Sequence, residues 1–128
     1  MSDKFHILMV DDQPDFLEPI AFWLKTKGYK VRLAYSGQEA LERIEEELPH
    51  VVSLDIQMPE MDGIETLQHI REKHPDLPVI MVTGVHDGDV FLKAKDLKIS
   101  GYFPKQGSLQ ELEKILEPFL RSYEKNLS

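Results

Sequence analysis

Three short runs of consecutive apolar residues punctuate the chain: Ile7-Leu8-Met9-Val10, Val51-Val52-Ser53-Leu54 and Val79-Ile80-Met81-Val82. Each is too short for a helix and none alternates, which is how strands covered on both faces of a parallel sheet read. Lys30-Val31-Arg32-Leu33-Ala34 alternates instead, as a half-covered edge strand does, and Tyr102-Phe103 is a minimal fifth candidate. Between these runs the apolar spacing turns helical. Phe16, Ile20 and Trp23 form one stripe with Leu17, Ala21 and Leu24 beside it; Ala40, Leu41, Ile44 and Leu48 form a second. Ile64, Leu67 and Ile70 form a third, Phe91, Ala94 and Leu97 a fourth, and Leu109, Leu112, Ile115, Leu116, Phe119 and Leu120 a fifth. Ser36/Glu39, Asp62/Glu65 and Ser108/Glu111 have the spacing of capping boxes at three of the helix starts. Pro19 and Pro118 fall inside helical stripes, where they are expected to kink or end the helix.

Five strands alternating with five helices predict a doubly wound α/β sandwich with right-handed crossovers. With the first, third and fourth strands central, the expected order is 2-1-3-4-5, with helices on both faces. The winding then reverses between the first and third strands, and ligands of such sheets sit beyond the carboxyl ends of the strands at that reversal.

Composition narrows the class. The chain has 128 residues, 41% hydrophobic and 30% charged, which suits a single domain spanning 1–128. It contains no cysteine, which removes disulfide scaffolds, thiol catalysis and zinc-thiolate sites together. No apolar run approaches the length of a membrane span, and Met1-Ser2-Asp3-Lys4-Phe5-His6 lacks the features of a signal peptide. A cytoplasmic protein without membrane contact is the expectation. The net charge of −8 argues against direct nucleic-acid binding. Glu42, Glu45, Glu46 and Glu47 read as the solvated side of a helix.

The polar residues at the strand ends change the picture more. The first apolar run is followed at once by Asp11-Asp12, the third strand by Asp55, the fourth by Thr83-Gly84, and the fifth, one residue on, by Lys105. Any one of these is ordinary for a loop or a helix cap. Together they place three carboxylates, a hydroxyl and an ammonium on one sheet edge, with the acids at the reversal. An all-oxygen cluster without His or Cys selects a hard divalent ion, Mg²⁺ rather than Ca²⁺ when protein ligands are few. Mg²⁺ beside a lysine suits phosphoryl chemistry, and an Asp there can become an acyl phosphate.

With those residues in place the chain resembles a response-regulator receiver domain of the chemotaxis-regulator (CheY-like) type over nearly its whole length, and so a flavodoxin-like sheet. The resemblance is carried by Asp11-Asp12, by Asp55-Ile56-Gln57-Met58-Pro59-Glu60-Met61-Asp62-Gly63, by Thr83-Gly84 and by Tyr102-Phe103-Pro104-Lys105. It implies a two-component or phosphorelay switch in which Asp55 accepts a phosphoryl group from a phosphohistidine on a sensor kinase or phosphotransfer protein. It further implies Mg²⁺ held by Asp12 and Asp55, by Asp11 through water and by the Gln57 backbone carbonyl. Lys105 and the Thr83 hydroxyl would bind phosphoryl oxygens, and Tyr102 would be the switch aromatic. The protein would then be a phosphoacceptor assisting its own phosphorylation and slow dephosphorylation, not an enzyme. Its output would be the face of helix four, strand five and helix five, acting on a downstream target or on an effector domain absent from this chain. Gly63 fits a loop position where a side chain would not.

Two departures from the family pattern stand out. Lys105 is followed by Gln106 where the family usually has a cis-proline, and a non-proline cis bond costs about 2.5–4 kcal/mol. Ile99-Ser100-Gly101 lacks the acidic residues of winged-helix regulators that dimerise through their last helices. Two alternatives compete. A haloacid-dehalogenase-type phosphatase needs a second Asp two residues past the nucleophile, where Gln57 stands; a degenerate docking receiver would not keep Asp11, Asp12, Asp55, Thr83 and Lys105. His6, His50, His69, His74 and His86 read as surface or strand-end histidines. Trp23 reads as core, and Lys93, Lys95 and Lys98 as a solvated helix face.

Overall fold

The apolar runs fold as five strands: β1 His6–Val10, β2 Lys30–Ala34, β3 Val51–Asp55, β4 Val79–Thr83 and β5 Gly101–Pro104. The structure is a computed structural model that describes residues 4–84 and 88–127; His86 lies outside them. All strands pair in parallel, in the order β2-β1-β3-β4-β5. The helices between and after them are α1 Pro14–Thr26, α2 Gly37–Glu46, α3 Gly63–Lys73, α4 Gly88–Asp96 and α5 Leu109–Leu127. The expected doubly wound sandwich is the observed one. β3 and β4 run one residue further than the apolar runs, so Asp55 and Thr83 close their strands rather than follow them.

Alternation along β1 explains why its residues are all apolar or buried. Leu8 and Val10 enter one core with Ala40 and Ile44 of α2, Leu67 and Ile70 of α3, and Ala94 of α4. Ile7 and Met9 point the other way, into a second core with Leu17, Ala21 and Leu24 of α1 and Leu112 and Leu116 of α5. β1, β3 and β4 are buried at every position, whereas β2, at the edge, is not.

The helix starts follow the capping signals. Glu39 N–H donates to Ser36 Oγ at 3.0 Å, Glu65 N–H to Asp62 Oδ1 at 2.9 Å, and Glu111 N–H to Ser108 Oγ at 3.1 Å. The Glu39 carboxylate reaches back one residue beyond the usual box, accepting from Tyr35 N–H at 3.2 Å.

Several expectations are corrected. Leu48 lies past the end of α2 and is exposed, because the helix stops at Glu46 and turns toward β3. Along α4 and just past its end the packed residues are Val90, Ala94 and Leu97, while Phe91, next to Val90, turns outward and is 41% exposed. Lys98 is not on a helix face; it follows α4 with φ 62°, in the left-handed region. Pro19 and Pro118 end neither helix, and both sit on solvent-facing sides where water can satisfy the carbonyl that each leaves without a helical N–H. Trp23 is only partly buried, packed at the margin of the α1/α5 core with Lys27 Nζ 5.3 Å from its ring. His6 and His50 are not bland strand-end residues. His6 is buried, its backbone N–H donates to His50 Nδ1 at 2.8 Å, and the His50 ring stacks on Phe5 at 5.2 Å.

Candidate functional site

β1 and β3 are neighbours, so the residues at their carboxyl ends meet at the winding reversal. Asp11 follows β1, with its backbone N–H bonded to Ala34 of β2 at 3.1 Å and its side chain 1% exposed. Asp55 closes β3 and is 2% exposed, with Oδ1 accepting from Gln57 N–H at 3.4 Å. Asp12, next to Asp11, faces solvent. One carboxylate oxygen from each of Asp11, Asp12 and Asp55 lies within 4.8 Å of the other two.

Lys105 reaches this cluster from the loop after β5. That loop is tied to β4 by Lys105 N–H donating to the Thr83 carbonyl at 2.9 Å. Lys105 Nζ lies 2.8 Å from Asp11 Oδ2 and 3.4 Å from Asp55 Oδ2. Among the described residues no peptide bond is cis, so the Lys105–Gln106 bond is trans. Gln106 keeps a place at the site edge, its amide 3.5 Å from the Gly84 carbonyl.

The loop between β3 and α3 closes another side. Gly63 N–H donates to the Ile56 carbonyl at 2.8 Å, and a Cβ on Gly63 would press on the Asp55 carbonyl and come within 2.7 Å of Ile56 Cα. Glycine is therefore required there. Thr83 is buried, and with Ile56, Gln57, Met58, Pro59, Asp62, Val90 and Tyr102 it lines a half-open cavity of about 520 Å³. Tyr102 stands at that cavity with its ring edge-to-face against Phe91 of α4, centroids 5.6 Å apart. The structure thus brings Asp11, Asp12, Asp55, Gln57 and Lys105 to one edge and sets Thr83 and Tyr102 beside them.

Burial pushes the Asp55 carboxyl up to about 6, with Asp11 adding to the rise; Lys105 and the Gln57 N–H only partly counter it. Burial alone would lower Lys105, but its contacts with Asp11 and Asp55 outweigh this and hold the ammonium above its usual range. Asp11 Oδ2 is buried and ion-paired with Lys105, yet makes no well-directed hydrogen bond. A buried acid with an unused oxygen lone pair, beside two more carboxylates, fits a hard divalent cation.

Sequence reasoning missed one neighbour of this machinery and one clamp at the opposite edge of the sheet. Gln13 Oε1 accepts from Lys105 Nζ at 3.1 Å, a contact across 92 residues that no local pattern announces. Arg71 of α3 donates to the carbonyls of Leu97, His74 and Lys98 at 2.7, 3.0 and 3.2 Å, tying the ends of α3 and α4 together. An arginine in the last turn of a helix is ordinary, so only the fold reveals the clamp.

The family model of the response regulator receiver domain matches residues 7–117. The chain belongs to this family. Response regulator RR06 of Streptococcus pneumoniae is 36% identical over 118 residues, covering 92% of this chain and 54% of the relative. The receiver domain thus spans about half the length of the curated relatives it matches. A solved CheY-like receiver domain protein from Methanospirillum hungatei superposes with a TM-score of 0.88 at 29% identity, over 96% of this chain and 99% of the other. A structure described as a DNA-binding response regulator of the LuxR family from Staphylococcus aureus gives 0.82 at 32% identity, over 90% and 98%. This receiver domain is accordingly a module of two-component signalling. Among its described residues no helix is long and apolar enough to cross a membrane.

Proposed function

We propose that this receiver domain is a phosphorylation-driven switch in which Asp55 takes a phosphoryl group from a phosphohistidine on a sensor kinase or phosphotransfer protein. The observation that carries the reading is the buried Asp55 carboxylate at the winding reversal, faced by the Lys105 ammonium and flanked by two further acids. In the transfer an Asp55 oxygen forms a bond to phosphorus as the phosphorus–nitrogen bond breaks and the imidazole leaves. Mg²⁺, held by Asp12, Asp55 and the Gln57 carbonyl and by Asp11 through water, would neutralise negative charge on the transferring group. Lys105 moves its charge from the acid pair to a phosphoryl oxygen, and the Thr83 hydroxyl donates to another. Asp55, raised to about 6, is the group whose ionisation a cation would favour.

The signal then passes to the α4-β5-α5 face. A Thr83 side chain drawn toward Asp55 leaves room in the shared cavity for the Tyr102 ring, which gives up its contact with Phe91. The domain acts as a phosphoacceptor that assists its own phosphorylation and slow dephosphorylation, in the cytoplasm, and not as an enzyme on other substrates. The residue two beyond Asp55 is Gln57, which supplies no acid for a haloacid-dehalogenase-type hydrolysis. Its output partner is a target protein or an effector domain; any nucleic-acid contact belongs to such a domain and not to this acidic one.

Intact-mass measurement after incubation with acetyl phosphate and Mg²⁺ tests the reading. One phosphoryl group on the wild type and none on Asp55→Asn is the expected result; equal labelling of both removes Asp55 from its role. In Tyr102→Ala labelling persists, but amide shifts induced by a phosphoryl analogue stop at residues near Asp55 instead of spreading to α4 and β5.

A further inference from the structure

The Lys105 ammonium is enclosed more completely than its two acid contacts require. Besides Asp11 and Asp55, it donates to Gln13 Oε1 at 3.1 Å and lies 4.8 Å from the centre of the Phe16 ring. An ammonium only donates, so the amide atom that meets it must be the oxygen. The ring face is a second, non-competing site of attraction for the cation. Gln13 also holds the other partner of the ion pair, its backbone N–H donating to Asp11 Oδ1 at 2.9 Å. One residue therefore grips Asp11 through its main chain and Lys105 through its side chain. It does so at the N-cap of α1, where a polar side chain ordinarily bonds the helix's own free N–H groups; this one makes no such bond.

The chemistry of the residue matters. A lysine side chain carries about 2 kcal/mol of rotamer freedom, so an ammonium aimed at one spot needs restraint. A carboxylate would restrain it too, but would add negative charge to a cluster that must receive a phosphoryl group. An amide oxygen restrains the ammonium and leaves its charge whole.

We propose that Gln13, backed by the Phe16 ring, is a positioning residue that holds the Lys105 ammonium ready for the phosphoryl oxygens during transfer to Asp55. The role rests on the phosphoacceptor reading above. Gln13 is solvent-exposed and can be changed without touching either core.

The test is the rate at which acetyl phosphate, with Mg²⁺, phosphorylates the full chain: the phosphorus–oxygen bond to acetate breaks, an Asp55 oxygen bonds phosphorus, and acetate leaves. Gln13→Met keeps the length and removes the acceptor. The expected loss is about three- to tenfold, the range one solvent-exposed hydrogen bond supports, with an unchanged melting curve. Proton exchange of the Lys105 ammonium, followed by ¹⁵N NMR, should quicken in the same variant. In a Lys105→Ala background Gln13→Met should have no further effect. A wild-type rate in Gln13→Met overturns the proposal, as does undisturbed ammonium exchange or an equal loss in the Lys105→Ala background. Failure of the wild type to be phosphorylated at all would instead overturn the phosphoacceptor reading, and this role with it.

Discussion

The two edges of the sheet bury ionisable groups in opposite ways. At the carboxyl edge Asp11 and Asp55 are almost fully enclosed within reach of one ammonium, and burial drives Asp55 up to about 6. At the amino edge His6 is as deeply enclosed, and burial drives it down to about 4, against the pull of Glu47. Both shifts express the same preference of a dry site for the neutral form. The surroundings differ. His6 Nε2 accepts from Arg32 Nε at 3.3 Å, which leaves the proton on Nδ1, 3.7 Å from Glu47. Glu47 is in turn held by Lys30 at 2.7 Å, and the Phe5, His50 and Tyr123 rings close over the edge. The amino edge interleaves basic and acidic groups and shuts, leaving His6 Nδ1 without a hydrogen bond; the carboxyl edge gathers like charges and stays open. Charge left uncompensated in the free protein marks the edge at which a ligand is to be bound.

Substitution of the loop glycines separates the edges most strongly. Gly63→Ala at the carboxyl edge forces a methyl into the Asp55–Ile56 backbone and should cost about 2–4 kcal/mol in urea denaturation. Gly28→Ala at the amino edge meets no atom but must adopt φ 97°, and should cost only about 1 kcal/mol.

The pH dependence comes next, and its sign reverses between the edges. His6 titrates near 4 when folded and near 6.5 when not, so the unfolded chain takes up the proton first. Stability should fall by about 3 kcal/mol as pH drops from 6.5 toward 4, and His6→Leu should flatten that decline. Asp55 has a folded value near 6 against an ordinary 3.8, so the folded protein holds the proton more tightly and loses stability as pH rises through that window. Asp55→Asn should therefore be up to about 3 kcal/mol more stable than wild type at pH 7, and the gain should disappear below about pH 4. Denaturation curves across that range, without divalent ions, check both; a parallel response of the two variants would erase the distinction.

The effect of Mg²⁺ is the most selective. At a concentration about ten times its dissociation constant, Mg²⁺ should add roughly 1.4 kcal/mol to stability. The resulting rise in melting temperature should be lost in Asp12→Ala and kept in His6→Leu.

Much of this contrast was legible in the chain, but unequally. The central strands announced themselves because both faces are covered, and the acids because each stands at the end of an apolar run. The roles of Leu48 and Phe91 were not legible, since helical spacing does not say where a helix stops or which of two adjacent apolar residues turns inward. His6 and His50 looked ordinary because their significance lies in pairing across 44 residues. Gln13 looked ordinary because an amide after two aspartates has no distinctive local pattern.

The site is assembled from places far apart in the chain: Asp11 after β1, Asp55 on β3 and Lys105 after β5. Parallel strands cannot pair until their long crossovers have closed, and such non-local contacts form slowly. No fragment of the chain that ends before β5 carries both the acids and the ammonium. Under the proposed function, competence to accept a phosphoryl group is a certificate of completed folding: a nascent copy that has not yet docked β5 lacks the ammonium beside its acids.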